Sequence, residues 1–136
     1  MIVFSTDSKF DFNEPENKAY IYNAEENPQI HLMGSILNEV ELTYGDYIHV
    51  FYDSSHPEYI YITKCKDTDQ CGGAKLSNVD YLRVSFRNKK LFELMKLPIK
   101  KGEQKDSKHS GYVVTLNKVK FLNRQCLRIN LMEIEN

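Results

Sequence analysis

Apolar side chains in this chain fall at every second position in short runs, and that spacing constrains what it can fold into. In Tyr47-Ile48-His49-Val50-Phe51-Tyr52 the aliphatic residues Ile48 and Val50 alternate with more polar neighbours, and Tyr59-Ile60-Tyr61-Ile62-Thr63 repeats the pattern with Ile60 and Ile62. Successive side chains of an extended strand point to opposite faces, so a period of two buries one face and leaves the other at the surface. β-Branched and aromatic residues, which suit a pleated half-buried surface, dominate both runs. Between them Asp53-Ser54-Ser55-His56-Pro57-Glu58 supplies turn chemistry, so the pair reads as a hairpin. The chain is expected to be mainly β.

Shorter signals extend the pattern in both directions. Lys18–Tyr22 has strand-like content after the turn Asn13–Asn17, and Gln29–Met33 alternates with Ile30 and Leu32 on one face. Gly34 ends that strand, and Ser35 stands where an N-cap would open a helix from Ile36 to Leu42, with Ile36, Leu37, Val40 and Leu42 toward the core. Gly45 then supplies the positive φ of a turn. After residues 64–78, which read as a linker, Tyr81–Phe86 is a strand. Asn88 is placed to cap a second helix reaching Leu97, with Leu91, Phe92, Leu94, Met95 and Leu97 apolar and Pro98 as its stop. Lys100-Lys101-Gly102-Glu103 takes the place of the first Gly turn, Gln104–Ser110 reads as a mobile insertion, and strands follow at Tyr112–Leu116 and Cys126–Met132. Each half thus runs strand, short helix, Gly turn, strand, strand, over 28–63 and again over 82–132. Neither half can bury its apolar face alone, so the 136 residues are expected to form one domain, mainly β with two short helices, barrel-like and built as a tandem.

Charge is divided along the chain. Residues 1–63 carry 11 acidic and 2 basic side chains, residues 64–136 carry 8 acidic and 16 basic, and the formal net charge of −1 conceals the asymmetry. From Arg83 to Arg128 there are 13 basic and 3 acidic residues. Clustered cations attract polyanions by neutralising phosphate and releasing counterions. The densest cluster is Arg87, Lys89 and Lys90 at the start of the second helix, where backbone N–H groups would add to the attraction. With Arg83, Lys100 and Lys101 these form the expected phosphate-contacting set, continued by Lys96, Lys105 and Lys108 and by a further strip of Lys118, Lys120, Arg124 and Arg128. Lysines outnumber arginines, which suits phosphate contact more than bidentate reading of bases. Phe86, Phe92 and Phe121 have the chemistry to stack on bases, but their apolar neighbours place most of them in the core. The acidic first half, with Glu39, Glu41, Asp46, Asp53 and Glu58, offers a surface to a basic protein partner or a mimic of DNA. The opposing interpretation of both sets is a solvated surface that keeps the protein in solution.

The stretch from Pro28 to Thr63 resembles the SymE-like branch of the AbrB/MazE (SpoVT-AbrB) swapped-hairpin superfamily. Pro28, Ile30, Leu32, Gly34, Leu37, Leu42, Gly45, Ile48, Val50, Ile60 and Ile62 stand in the family's order, although Ile36 replaces its usual Trp and Glu41 stands where a Gly often precedes the aromatic residue. The resemblance implies an interlaced barrel of two hairpin units, here supplied by one chain, and a role in nucleic-acid binding, transcription control or toxin–antitoxin biology. It carries over no catalytic residue.

Enzymatic chemistry has weaker support than binding. His31 and His49 occupy polar strand positions that would let them approach each other, and with Asp46 or Glu39 they would make the acid–base pair of an RNA-cleaving toxin. No lysine cluster adjoins them, and Gly72-Gly73-Ala74-Lys75 lacks the spacing of a phosphate-binding loop. Cys65 and Cys71, separated by five residues, match no zinc-knuckle or redox spacing; with His56 or His109 they have the ligand types of a mixed zinc site, but a loop cysteine and a buried Cys126 are the preferred reading, so no metal and no cofactor is expected. Three cysteines, an odd number, without a basic-then-apolar leader point to reduced thiols and a cytoplasmic protein that does not enter a membrane.

Overall fold

Alternation in the sequence becomes alternation in burial. The computed structural model describes residues 16–22, 28–65, 75–95 and 112–133. In chain order they form β1 (Lys18–Tyr22), β2 (Gln29–Met33), α1 (Ile36–Glu39), β3 (Ile48–Tyr52), β4 (Tyr59–Lys64), β5 (Ser77–Asp80), β6 (Arg83–Phe86), α2 (Lys89–Met95), β7 (Tyr112–Phe121) and β8 (Arg124–Asn130), followed by a 3-10 turn at Leu131–Glu133. Ala19 and Ile21, Ile30 and Leu32, Ile60 and Ile62, and Leu127 and Ile129 are wholly buried and fill one core, together with Ile36, Leu37, Val40 and Leu42 beside α1 and Leu91, Phe92 and Met95 of α2. Leu94 is an exception: it is 48% exposed, and Leu97 lies outside the described residues.

The strands form one curled, antiparallel sheet of eight strands in the order β3-β4-β8-β7-β1-β2-β6-β5. Its two edges approach at one end through the bridge between Tyr47 and Lys75. There the Gly45 N–H donates to the Leu76 carbonyl at 2.7 Å and the Leu76 N–H donates to the Asp46 carbonyl at 2.9 Å. The result is barrel-like. Exchanging β1–β4 with β5–β8 maps the pairing scheme onto itself except at the two edges of the sheet. β1 with β2 becomes β5 with β6, β3 with β4 becomes β7 with β8, and β2 with β6 and β4 with β8 map onto themselves, whereas the ladder of β1 with β7 has as its counterpart only the isolated bridge of Tyr47 with Lys75, which precede β3 and β5. Each half lends a strand to the other.

Several local expectations need correction. The presumed linker 64–78 contributes Lys64 to β4, Leu76 (1% exposed) to the barrel closure and Ser77 to β5. α1 stops at Glu39 because the chain turns there, with Glu41 at φ 60°. Ser35 makes no side-chain cap. Asn17 does so instead, from the start of β1: its Oδ1 accepts from the Ile36 N–H at 3.1 Å, and its carbonyl accepts from the Leu116 N–H at 3.0 Å. This approach requires glycine at position 34, where φ is +116° and a Cβ would lie 2.7 Å from the Asn17 Cα. Asn88 caps α2 as its position suggests, its Oδ1 accepting from the Leu91 N–H at 3.0 Å. β7 and β8 extend to a tight hairpin with Leu122 and Asn123 both at positive φ, the geometry of a primed turn, and the last strand ends at Asn130. Cys65 is disulfide-bonded and Cys126 is a free buried thiol, so the expected set of three reduced cysteines does not hold. The readings of residues 13–15, Lys96, Lys100–Ser110 and Cys71 lie outside the described residues.

Candidate functional site

β1, β2 and β6 lie side by side, and their core-facing residues determine what the other face presents. With Ala19 and Ile21 turned inward, β1 shows Lys18, Tyr20 and Tyr22; with Ile30 and Leu32 inward, β2 shows Gln29 and His31; with Val84 and Phe86 inward, β6 carries Arg83 and Ser85 on its other side. The register sets Tyr20 opposite His31 and His31 opposite Ser85. Long side chains on neighbouring strands reach each other across such pairs.

Arg83 is the hub of this face. Its Nε–H donates to His31 Nδ1 at 3.0 Å, its Nη2 donates to the Tyr22 hydroxyl at 3.2 Å, and its guanidinium carbon lies 5.2 Å from the centre of the Tyr20 ring. A guanidinium only donates, so His31 Nδ1 carries no proton and Nε2–H is the donor to Gln29 Oε1 at 3.0 Å. Partial burial, then the charge of Arg83, lower the His31 pKa from 6.5 to about 4. The imidazole is neutral around pH 7. Its ring meets Tyr22 edge-on at 4.9 Å, and the Tyr20 and Tyr22 rings stand 6.0 Å apart at 87°. Three rings and one arginine therefore form a continuous half-buried patch. Arg87, Lys89 and Lys90, all exposed, follow directly where β6 leads into α2.

The expected phosphate-contacting set is thus only partly assembled. Arg83 is held in the aromatic cluster, Arg87, Lys89 and Lys90 are open to solvent beside it, and Lys100 and Lys101 lie outside the described residues. Phe86 and Phe92 belong to the core, while Phe121 lies half-buried elsewhere. The sequence reading missed Tyr20, Tyr22, Gln29 and His31 as partners of Arg83. The alternation of 18–22 shows that both tyrosines face away from Ala19 and Ile21, but only the strand order brings them to Arg83.

The further basic strip is largely engaged by the protein itself. Lys118 Nζ pairs with Glu39 at 3.0 Å, Arg124 Nη2 donates to the Lys64 carbonyl, and the Arg128 guanidinium lies 4.5 Å from the centre of the Tyr59 ring. Arg124 also lines a groove with Glu39 and Glu41, whose carboxylates oppose a phosphate there. Tyr61 and Phe121 stack at 3.9 Å with Phe51 5.9 Å from Phe121, a second half-buried group of rings, while Cys126 and Thr63 are buried.

The two histidines singled out from the sequence do not share a neighbourhood. His31 contacts Gln29, Tyr22 and Arg83, whereas His49 lies 3.2 Å from Cys65 Sγ and stacks on Phe51. β2 and β3 are not neighbours in the sheet, so the proposed acid–base pair is not assembled. Among the described residues no group of three or more His, Cys, Asp or Glu side chains is placed to hold a metal ion, and no helix is long and apolar enough to cross a membrane. No family model, curated protein or solved structure matches the chain.

Proposed function

We propose that this chain is a small non-enzymatic nucleic-acid-binding module that meets phosphates with Arg87, Lys89, Lys90 and the free N–H groups of Arg83. The observation that carries this reading is that Arg83, packed among Tyr20, Tyr22 and His31 on the outward face, is followed along the chain by the exposed cations Arg87, Lys89 and Lys90. Arg83 is oriented by two hydrogen bonds, so it loses little side-chain freedom on binding. An acid–base RNA-cleaving role loses support from the separation of His31 and His49. A swapped-hairpin relationship remains part of the proposal, supported by the exchange of strands between halves.

The test is a salt-dependent titration. Fluorescence anisotropy with labelled oligonucleotides should show affinity falling steeply between roughly 50 and 200 mM salt, because each neutralised phosphate adds close to one unit to the log–log slope. Replacing Arg87, Lys89 and Lys90 together by Glu should remove binding and leave the melting curve nearly unchanged, since all three side chains are exposed. Unaltered affinity in that variant would move the interface away from β6 and α2.

A further inference from the structure

Resting on that reading, we infer that the nucleic acid taken by the β1-β2-β6 face is single-stranded, with an unpaired base stacked against Tyr20 and the neighbouring phosphates held by Arg83, Arg87, Lys89 and Lys90. Tyr20, Tyr22 and His31 sit on adjacent outward positions of a sheet, half-buried, so their rings are braced by the strands beneath and still reach solvent. Bases offer their faces to such rings only when they are unstacked; in a duplex the faces are covered by neighbouring pairs. Reading a duplex requires an element that enters a groove, usually a helix or a two-stranded ribbon. The described surface here is the outer side of a curled sheet, and the adjoining helix α2 is pinned to the core through Leu91, Phe92 and Met95.

Charge and ring chemistry favour the same occupant. Arg83 spends Nε on His31 and one Nη2 hydrogen on Tyr22, which holds the guanidinium over one side of the Tyr20 ring, leaves the other side for a base, and leaves its remaining N–H groups for a phosphate oxygen. His31, neutral because it accepts from that arginine, adds ring surface without a second buried charge. Arg87, Lys89 and Lys90 follow Arg83 in the chain and are exposed, so they are available to further phosphates of the same strand. Stacking is tolerant of base identity, so weak sequence preference is expected.

The experiment compares the intact protein with single-stranded oligouridine and oligothymidine of about 15 nucleotides, and with a duplex of equal length, by fluorescence anisotropy. The single strands should bind more tightly than the duplex. Tyr20→Ala should weaken single-strand binding about tenfold, within the range for loss of one stacked base, whereas Tyr20→Phe should retain it. Far-UV circular dichroism checks that Tyr20→Ala is folded. A second readout does not depend on that variant: with no Trp in the chain, tyrosine emission should be quenched on titration with oligouridine, by less in Tyr20→Phe than in the wild type. Duplex binding equal to or tighter than single-strand binding, unchanged single-strand affinity in Tyr20→Ala, or unchanged quenching in Tyr20→Phe overturns this inference and leaves the broader nucleic-acid reading standing. Absence of binding to every oligonucleotide at low salt overturns both.

Discussion

Arg83 and His31 are 52 positions apart in sequence, yet each fixes the chemical state of the other. The guanidinium cannot accept a proton, so a protonated imidazole would lose the hydrogen bond and face a like charge in a half-buried setting. This coupling makes stability depend on pH with a definite sign. His31 has its pKa lowered from 6.5 to about 4 in the folded protein, so between those values the unfolded chain binds the extra proton and the folded one does not. Its contribution is complete above about 6.5 and is lost as pH falls toward about 4. Because the site is partly open to solvent, the loss should be on the order of 1 kcal/mol, well below what the full shift would imply. Carboxylates also titrate in this range, so the informative quantity is the difference between wild type and His31→Gln, a variant whose amide oxygen still accepts from Arg83. Chemical denaturation at several pH values should show the wild type losing stability relative to the variant below pH 6.5; parallel curves would mean that His31 and Arg83 are not coupled in this way.

Elements were legible wherever alternation was strong. The bounds expected for β1 and β2 from residue pattern match the structure, and β3 and β4 differ by a single terminal residue each. β5 was missed for a physical reason: Ser77–Asp80 is exposed throughout, so it carries no apolar stripe, and it is a strand only because β6 offers a partner. The β7–β8 hairpin was cut short because Leu122-Asn123 lacks the usual Asn-Gly signal of a primed turn, although both residues adopt its positive φ. Helix capping shows the same limit. Ser35 is the local candidate, but the donor at Ile36 is taken by Asn17, which is 19 residues away. Asn17→Ala should therefore destabilise the protein by about 1 kcal/mol or somewhat more, as loss of an N-cap does. Ser35→Ala should change stability by no more than a few tenths of a kcal/mol, the ordinary range for a substitution that breaks no contact. Urea unfolding of the two variants separates these cases, and equal losses would show that Asn17 is not the cap. The candidate site was legible only in part for a related reason: Arg83, Arg87, Lys89 and Lys90 announce themselves as charge, whereas Tyr20, Tyr22 and His31 gain meaning only from the sheet.

At the scale of the whole molecule, division of charge along the chain does not become division into two lobes. The strand order places β3 and β4 beside β8 and β7, then β1 and β2 beside β6 and β5, so the acidic and basic halves alternate around the barrel. Glu39 consequently pairs with Lys118 across the halves, while Asp46 pairs with Lys64. An exposed ion pair contributes at most about 1 kcal/mol. Burying one Ile or Leu contributes about 1.5–3 kcal/mol, so the shared core rather than charge attraction decides how the halves meet. That core is inseparable: alone, the first half would lose β7 beside β1, β6 beside β2 and β8 beside β4. What remains is hairpins, which are marginal in water without further strands. Fragments 1–70 and 71–136, divided where no described strand is cut and kept under reducing conditions so that the disulfide of Cys65 cannot link them, should each give coil-like circular dichroism and no cooperative melt. Mixed in equal amounts they should recover the β spectrum, with a midpoint that rises with concentration because association has replaced the covalent connection. The intact chain should show no such dependence. A cooperative melt from either fragment alone would mean that the exchanged strands are dispensable, and that each half holds enough core to fold by itself.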